Sequence, residues 1–194
     1  GFDVLLSADS DVDLTGVDLD PLVGRLISPS VGAAWCPVVE RVRPLTLGDR
    51  ASQAFLGGSL HAFPLLCGMD PGGLVGKLFA VRRDALEQIG GFDGLVEYLG
   101  EDMELSRRLR GEGFAVEPVP IDAPSHATGR GLLAAAARYS RWLVVIRAQR
   151  PLLLSAYPLM FGATAPVLLL AGLGLLGSPI AGVGAAVVAL LNRL

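Results

Sequence analysis

The chain has 194 residues, 52% of them hydrophobic, with a mean hydropathy of +0.53, too apolar for an ordinary soluble domain. Its two cysteines, Cys36 and Cys67, fit neither a metal-ligand spacing nor a disulfide framework, so a reducing compartment is expected. The net charge of −3 conceals a partition: all 19 acids and 10 of the 16 basic residues lie before residue 123, a formal −9, while 123–194 carry six arginines and no acid, a formal +6.

In chain order, residues 3–8 form an apolar run ending in aspartates, the pattern of a buried strand with a functional loop at its end. "DLDPLVGRLI" (18–27) predicts a helix opened by Asp-Pro, and "VGAAWCPVVERVRP" (31–44) a strand leading into a loop. Residues 46–66 suit a helix with Gly57-Gly58 as a weak point. "GKLFAVRRDALEQIGGF" (76–92) gives a strand over 77–81 and a helix over 83–89 stopped by Gly90-Gly91. In "GEDMELSRRLRGEGF" (100–114) acids fill the first turn and arginines the last, matching the helix dipole. "AVEPVPI" (115–121) predicts a strand, and "GLLAAAARYSRWLVVIRAQR" (131–150) an arginine-rich amphipathic helix of the kind that lies on a membrane surface. Alternating strands and helices followed by apolar sequence predict an α/β domain on a membrane anchor.

No charged residue occurs from Pro151 to Leu191. "LLLSAYPLMFGATAPVLLLAGLGLL" (152–176) is long enough to cross a bilayer, and "IAGVGAAVVALL" (180–191) suits a clipped or re-entrant second segment. Arginines 138, 141, 147 and 150 precede the span, which places residues 1–150 in the cytoplasm by the positive-inside rule. The expected organisation is therefore 1–130 catalytic, 131–150 interfacial, and 151–194 transmembrane in a multi-pass protein of the inner (plasma) membrane. "GFDVLLSADSDV" opens without a Met and resembles the middle of a domain, so an upstream portion is expected.

Three constellations carry chemistry. Asp9, Asp11 and Asp13 alternate in "SADSDVD". An EF-hand is excluded, because position 6 of such a loop would be Leu14, position 12 Asp20, and no helix precedes it. Asp9 and Asp11, at i and i+2 on a strand end, can both turn toward one hard cation bound to a diphosphate; a solvated acidic loop is the plainer reading. Glu101-Asp102 opens a helix, where a carboxylate can serve as a general base or simply complement the helix N-terminus. Arg138, Arg141 and Trp142, at spacings of three and four, share a helix face. Two guanidiniums there can grip a diphosphate, or the set can sit at lipid headgroups.

Asp-x-Asp, then Glu-Asp about ninety residues on, then Arg-x-x-Arg-Trp and apolar helices resemble the membrane-bound inverting glycosyltransferases of family 2. The likeness is closest to the ceramide glucosyltransferase-like branch, family 21, which includes bacterial hopanoid-associated enzymes. "GKLFAVRRDALEQIGGFDGLVEYLGEDMELSRRLRGEGFAVEPV" carries most of the resemblance, which spans nearly the whole chain. It implies a GT-A fold, a UDP-sugar donor, a divalent metal (Mg2+ or Mn2+), and a membrane lipid acceptor, with no nucleic-acid partner. It further implies Asp9 and Asp11 as the metal and diphosphate motif, Asp102 as the base with Glu101 beside it, and Arg138, Arg141 and Trp142 closing over the donor. His61 is placed by a looser match near the substrate, and a structural histidine is the alternative. Members carry a membrane helix and a first nucleotide-binding half before Asp-x-Asp, so an N-terminally truncated domain is expected. A processive polysaccharide synthase and a non-catalytic membrane module are the competing readings.

Overall fold

The structure is a computed structural model that describes residues 2–61, 72–121, 123–151, 154, 173–174, 177–180, 182–184 and 187. The chain divides into two compact units, residues 1–145 and 146–194. The first is built on strands β1 (Val4–Ala8), β2 (Val31–Trp35), β3 (Val38–Glu40), β4 (Leu78–Arg82), β5 (Ala115–Pro118) and β6 (Ala123–Ser125). Its helices are α1 (Asp20–Gly24), α2 (Leu47–His61), α3 (Arg83–Gln88) and α4 (Glu101–Gly111); α5 (Leu132–Gln149) follows. A four-stranded sheet runs β1-β4-β2-β5, with β4 antiparallel to both β1 and β2 and β5 parallel to β2. β3 and β6 pair in parallel as a separate two-stranded sheet.

Alternation along β2 and β4 divides the core in two, because successive strand side chains face opposite ways. Ala33, Trp35, Phe79 and Val81 join Leu105 and Leu109 of α4 on one face. Ala34, Cys36, Leu78 and Ala80 join Leu22 and Leu26 on the other. Every residue of β2 is buried, as a strand covered on both faces requires. Leu105 and Leu109, four apart, stack on one side of α4. Arg107 and Arg108 both reach the buried Glu104, at 2.6 and 2.8 Å, and these bonds, Arg107 foremost, hold its carboxyl down to about 2.

Most elements fall where the sequence places them, with four differences. The strand expected to be buried over 3–8 is β1 at the sheet edge, where no residue is buried and Leu6 is 41% exposed, because only β4 pairs with it. The helix expected over 18–27 is an α-turn, Asp20–Gly24, followed by a 3₁₀ turn, Arg25–Ile27. The strand expected to run from 31 into a loop stops at Trp35 and resumes as β3 in the other sheet; Pro37 between them has no N–H for a ladder. The stretch 115–121 ends as a strand at Pro118, and β6 follows, which no local pattern announced. Among the described residues no helix is long and apolar enough to cross a membrane. The expected spans, 152–176 and 180–191, fall largely outside the described residues.

Leu109 has no exposed surface and anchors α4 to the sheet. Leu109→Ala is expected to lower stability by about 2–5 kcal/mol, the usual range for a buried leucine, read as a fall in the urea midpoint at unchanged slope.

Candidate functional site

Register builds the site. β1 pairs with β4 so that Ala8 opposes Leu78, and one step further the Asp9 amide donates to the Lys77 carbonyl at 2.9 Å. The chain then turns, with the Val12 amide on the Asp9 carbonyl at 3.0 Å, and is stitched to β6: the Asp13 amide donates to Pro124 at 2.9 Å and the His126 amide to Asp11 at 2.8 Å. The Lys77 ammonium sits between two of the aspartates, 2.9 Å from Asp9 Oδ2 and hydrogen-bonded to Asp11 Oδ1. It is only 12% exposed. The Ser125 hydroxyl donates to Asp11 Oδ2 at 2.9 Å. Burial pushes the Asp11 carboxyl up, but Lys77 and Ser125 outweigh it and hold the group below the usual aspartate range. The Asp13 carboxylate instead accepts from the Thr15 amide at 2.8 Å and lies 3.3 Å from His126 Nε2. Asp18 accepts from the Asp20 amide at 3.0 Å.

Asp102 reaches the same place from the other side of the sequence. Gly76, immediately before Lys77, donates its N–H to Asp102 Oδ2 at 3.0 Å, and the Met103 amide donates to Oδ1 at 2.8 Å. Gly76 leaves room for this: a Cβ there would lie 3.2 Å from the Asp102 Cβ and 3.3 Å from Oδ2. Burial pushes the Asp102 carboxyl up; the two amides pull against it, the neighbouring Glu101 charge adds to it, and the net shift is upward. A cavity of about 510 Å³ is lined by Asp9, Asp102 and Glu101 together with Gly76 and an apolar wall that includes Phe79 and Phe92. Two carboxylate motifs 93 positions apart thus face one space, one held by a cation and the other by amides alone.

The arginine motif lies elsewhere in the unit. Arg138 Nη1 is 3.5 Å from Glu40 Oε1, and its guanidinium lies 5.1 Å from the Trp142 ring centre. Arg141 is exposed. Among the described residues that line the cavity, none of the three appears. His61 ends α2, and its side chain lies outside the described residues.

Sequence reasoning missed several residues. Lys77 was not singled out, although it is the sole lysine in a chain with 15 arginines, a signal available by counting. Glu40 was missed too. Its side chain is 1% exposed and accepts from Arg130 at 2.8 Å and Ser52 at 3.0 Å, while Ser52 shares a hydrogen bond of 2.7 Å with the Tyr139 hydroxyl. Asp49 forms a capping box with Thr46 at the start of α2: the Asp49 amide donates to the Thr46 hydroxyl at 3.0 Å, and its carboxylate accepts the Thr46 amide at 3.2 Å. The same carboxylate accepts the Gly129 amide at 2.9 Å, the Arg130 amide at 3.0 Å and the Thr128 hydroxyl at 3.1 Å, fixing the approach to α5.

The glycosyl transferase family 21 pattern matches residues 1–194. The chain belongs to glycosyl transferase family 21. The mixed α/β architecture is consistent with a GT-A-like domain. Among solved structures, it is similar to a mannosyltransferase from Pyrobaculum calidifontis, PcManGT, in complex with GDP-Man and Mn2+, with 19% identity and a TM-score of 0.44. That match covers 98% of this chain and 61% of the mannosyltransferase chain, so this chain spans less than two thirds of that protein's length. No curated protein matches the chain.

Burial pushes the Asp49 carboxyl up, but its many donors, led by the Gly129 and Arg130 amides, hold it well below the ordinary value of 3.8. A carboxyl depressed on folding contributes stability that is complete above its unfolded value and is lost as pH falls toward its folded one. Asp49→Asn is therefore expected to melt below the wild type at pH 7, and the gap to narrow as pH drops below about 3.8. Thermal melts at pH 7 and pH 3 read this directly.

Proposed function

We infer that this chain is the catalytic part of an inverting glycosyltransferase that moves a sugar from a UDP-sugar to a hydroxyl of a membrane lipid at the cytoplasmic face of the plasma membrane. The acceptor class is ceramide-like or an intermediate of the hopanoid type. One observation carries the reading: Asp9 of the Asp-x-Asp motif and Asp102 of the Glu-Asp motif line one cavity, where burial raises the Asp102 carboxyl above its ordinary value.

The donor set at Asp9 and Asp11 suits a hard divalent cation: two carboxylates at alternate positions, with the Ser125 hydroxyl beside them and a cation, the Lys77 ammonium, already between them. Asp9 and Asp11 would hold Mg2+ or Mn2+, which would neutralise the diphosphate and make it a better leaving group. Asp102 takes the proton from the acceptor hydroxyl. The freed oxygen forms a bond to the anomeric carbon as the bond from that carbon to the diphosphate oxygen breaks, UDP leaves with the electron pair, and the configuration inverts. Phe79 and Phe92 give the cavity an apolar wall that could meet an acyl chain. The Gly76 amide holds the carboxylate oxygen at a fixed angle toward the cavity. In this reading Arg138 and Arg141 serve the diphosphate with Trp142 packed beside them, a role that rests on the resemblance alone, since Arg138 pairs with Glu40 and none of the three lines the cavity.

Asp102→Asn in the full-length protein is expected to lower kcat by at least about a hundredfold, the low end of general-base contributions, while UDP binding is unchanged. Lipid extracts from cells making the wild type should contain a species heavier by one sugar that is absent with the variant. Comparable turnover by the variant would sink the assignment of the base. Asp102 works only when deprotonated and its carboxyl is raised on folding, so activity should fall as pH drops through a midpoint above 3.8.

A further inference from the structure

Lys77 has no place in the chemistry above, yet it occupies the centre of the candidate cation site. Three observations on it converge. Its ammonium bridges Asp9 and Asp11, the two carboxylates that would take a divalent cation. It is nearly enclosed, while Asp9 is 51% exposed and lines the cavity. It is the sole lysine among 16 basic residues. Arginine presents a broad planar fork matched to a single carboxylate, whereas lysine presents a compact charge that two carboxylates can share. A chain that uses arginine at its other 15 basic positions uses the compact cation at the one place where a small ion would sit.

The backbone fixes this arrangement. Lys77 is held opposite Asp9 by the β1–β4 register and follows directly on Gly76, whose amide holds Asp102. The backbone thus keeps the root of the side chain beside the pair, and its flexible stem is free to carry the ammonium from one position to another.

We propose that Lys77 is the resident counter-ion of the Asp9–Asp11 pair and competes with the divalent cation for it, so that metal enters this site by exchange with the ammonium. This rests on the assignment of Asp9 and Asp11 as metal ligands. Lys77 thereby keeps two adjacent carboxylates from repelling each other when no metal is bound, and it weakens metal binding relative to a bare pair. When it yields the carboxylates, the ammonium remains beside the site as a positive charge available to a diphosphate.

The test is Mn2+ binding to the full-length protein, followed by the loss of the free-ion electron paramagnetic resonance signal, with no donor present. Lys77→Met is expected to bind Mn2+ at least about tenfold tighter than the wild type, since a neighbouring charge of this kind shifts ionic equilibria by one or more powers of ten. Lys77→Arg, which keeps the charge, should bind no tighter than the wild type. Circular dichroism reports whether the Met variant is folded; if it is not, Lys77→Gln, which keeps a donor for the carboxylates, should show the same tightening. Equal or weaker Mn2+ binding by a folded neutral variant overturns the proposal, as does failure of both wild type and neutral variants to bind. UDP binding and sugar transfer by the same wild-type preparation are read separately. A wild type that transfers sugar and binds Mn2+ beside neutral variants with unchanged affinity refutes the role of Lys77 alone. A wild type that neither binds UDP nor transfers sugar refutes the functional reading.

Discussion

The hydrogen bond from the Asp9 amide to the Lys77 carbonyl, 2.9 Å long, continues the β1–β4 ladder one step past the last paired strand residues. Much of the candidate site depends on it. It sets which residue of the loop after β1 stands opposite the start of β4, and opposed residues on antiparallel strands present their side chains to the same face. A slip of one residue would turn the aspartate away from the lysine and reverse the two core faces of β4 as well. The two cores oppose such a slip: Leu78 and Ala80 fill one side while Phe79 and Val81 fill the other. Apolar packing therefore secures the register, and the register places the charges.

The same few residues solve two electrostatic problems in opposite ways. Asp9 and Asp11 would repel one another, and the Lys77 ammonium between them removes the conflict. Asp102 is given amides in place of a cation, with Glu101 next to it and an apolar wall nearby, so its charged form stays costly. A carboxylate stabilised as strongly as the Asp49 group would be a poor proton acceptor, because the bonds that hold its charge must weaken as the proton arrives. Gly76 and Lys77 are neighbours in sequence and serve one of these sites each. The dipeptide just before β4 thus links the Asp-x-Asp loop to the N-terminus of α4.

What was legible in the sequence was local. The all-apolar run of β2, the turn from β4 into α3, and the charge gradient along α4 each rest on residues within a dozen positions, where periodicity and caps speak plainly. The two carboxylate motifs were legible as types and spacings, and their convergence on one cavity was an expectation drawn from resemblance. What was not legible is long-range. Lys77 meets Asp11 across 66 positions, Ser125 meets Asp11 across 114, and Arg130 meets Glu40 across 90. No period or cap marks such pairs, because they arise from the sheet order β1-β4-β2-β5 and from the separate pairing of β3 with β6. β6 itself is three residues, one of them proline, and exists because β3 offers it a partner.

The partition of charge along the chain takes a different meaning once folded. Acids confined to the first 122 residues and arginines crowded after them suggest an acidic domain beside a basic membrane-facing helix. Part of that opposition is instead resolved inside the first unit. Glu40 lies in β3 and receives Arg130 and Arg138 from the basic part of the chain, with Ser52 and Tyr139 completing the cluster. Burying a carboxylate is tolerable only when it is paired and hydrogen-bonded, and here two guanidiniums share one carboxylate, leaving the cluster with an excess of positive charge. That excess lies on the helix face that also carries Trp142, whose ring receives the Arg138 guanidinium at 5.1 Å. The Glu40 pairing therefore anchors the start of α5 to β3 without cancelling the basic character of that face, and the face retains the charge that an anionic ligand would need.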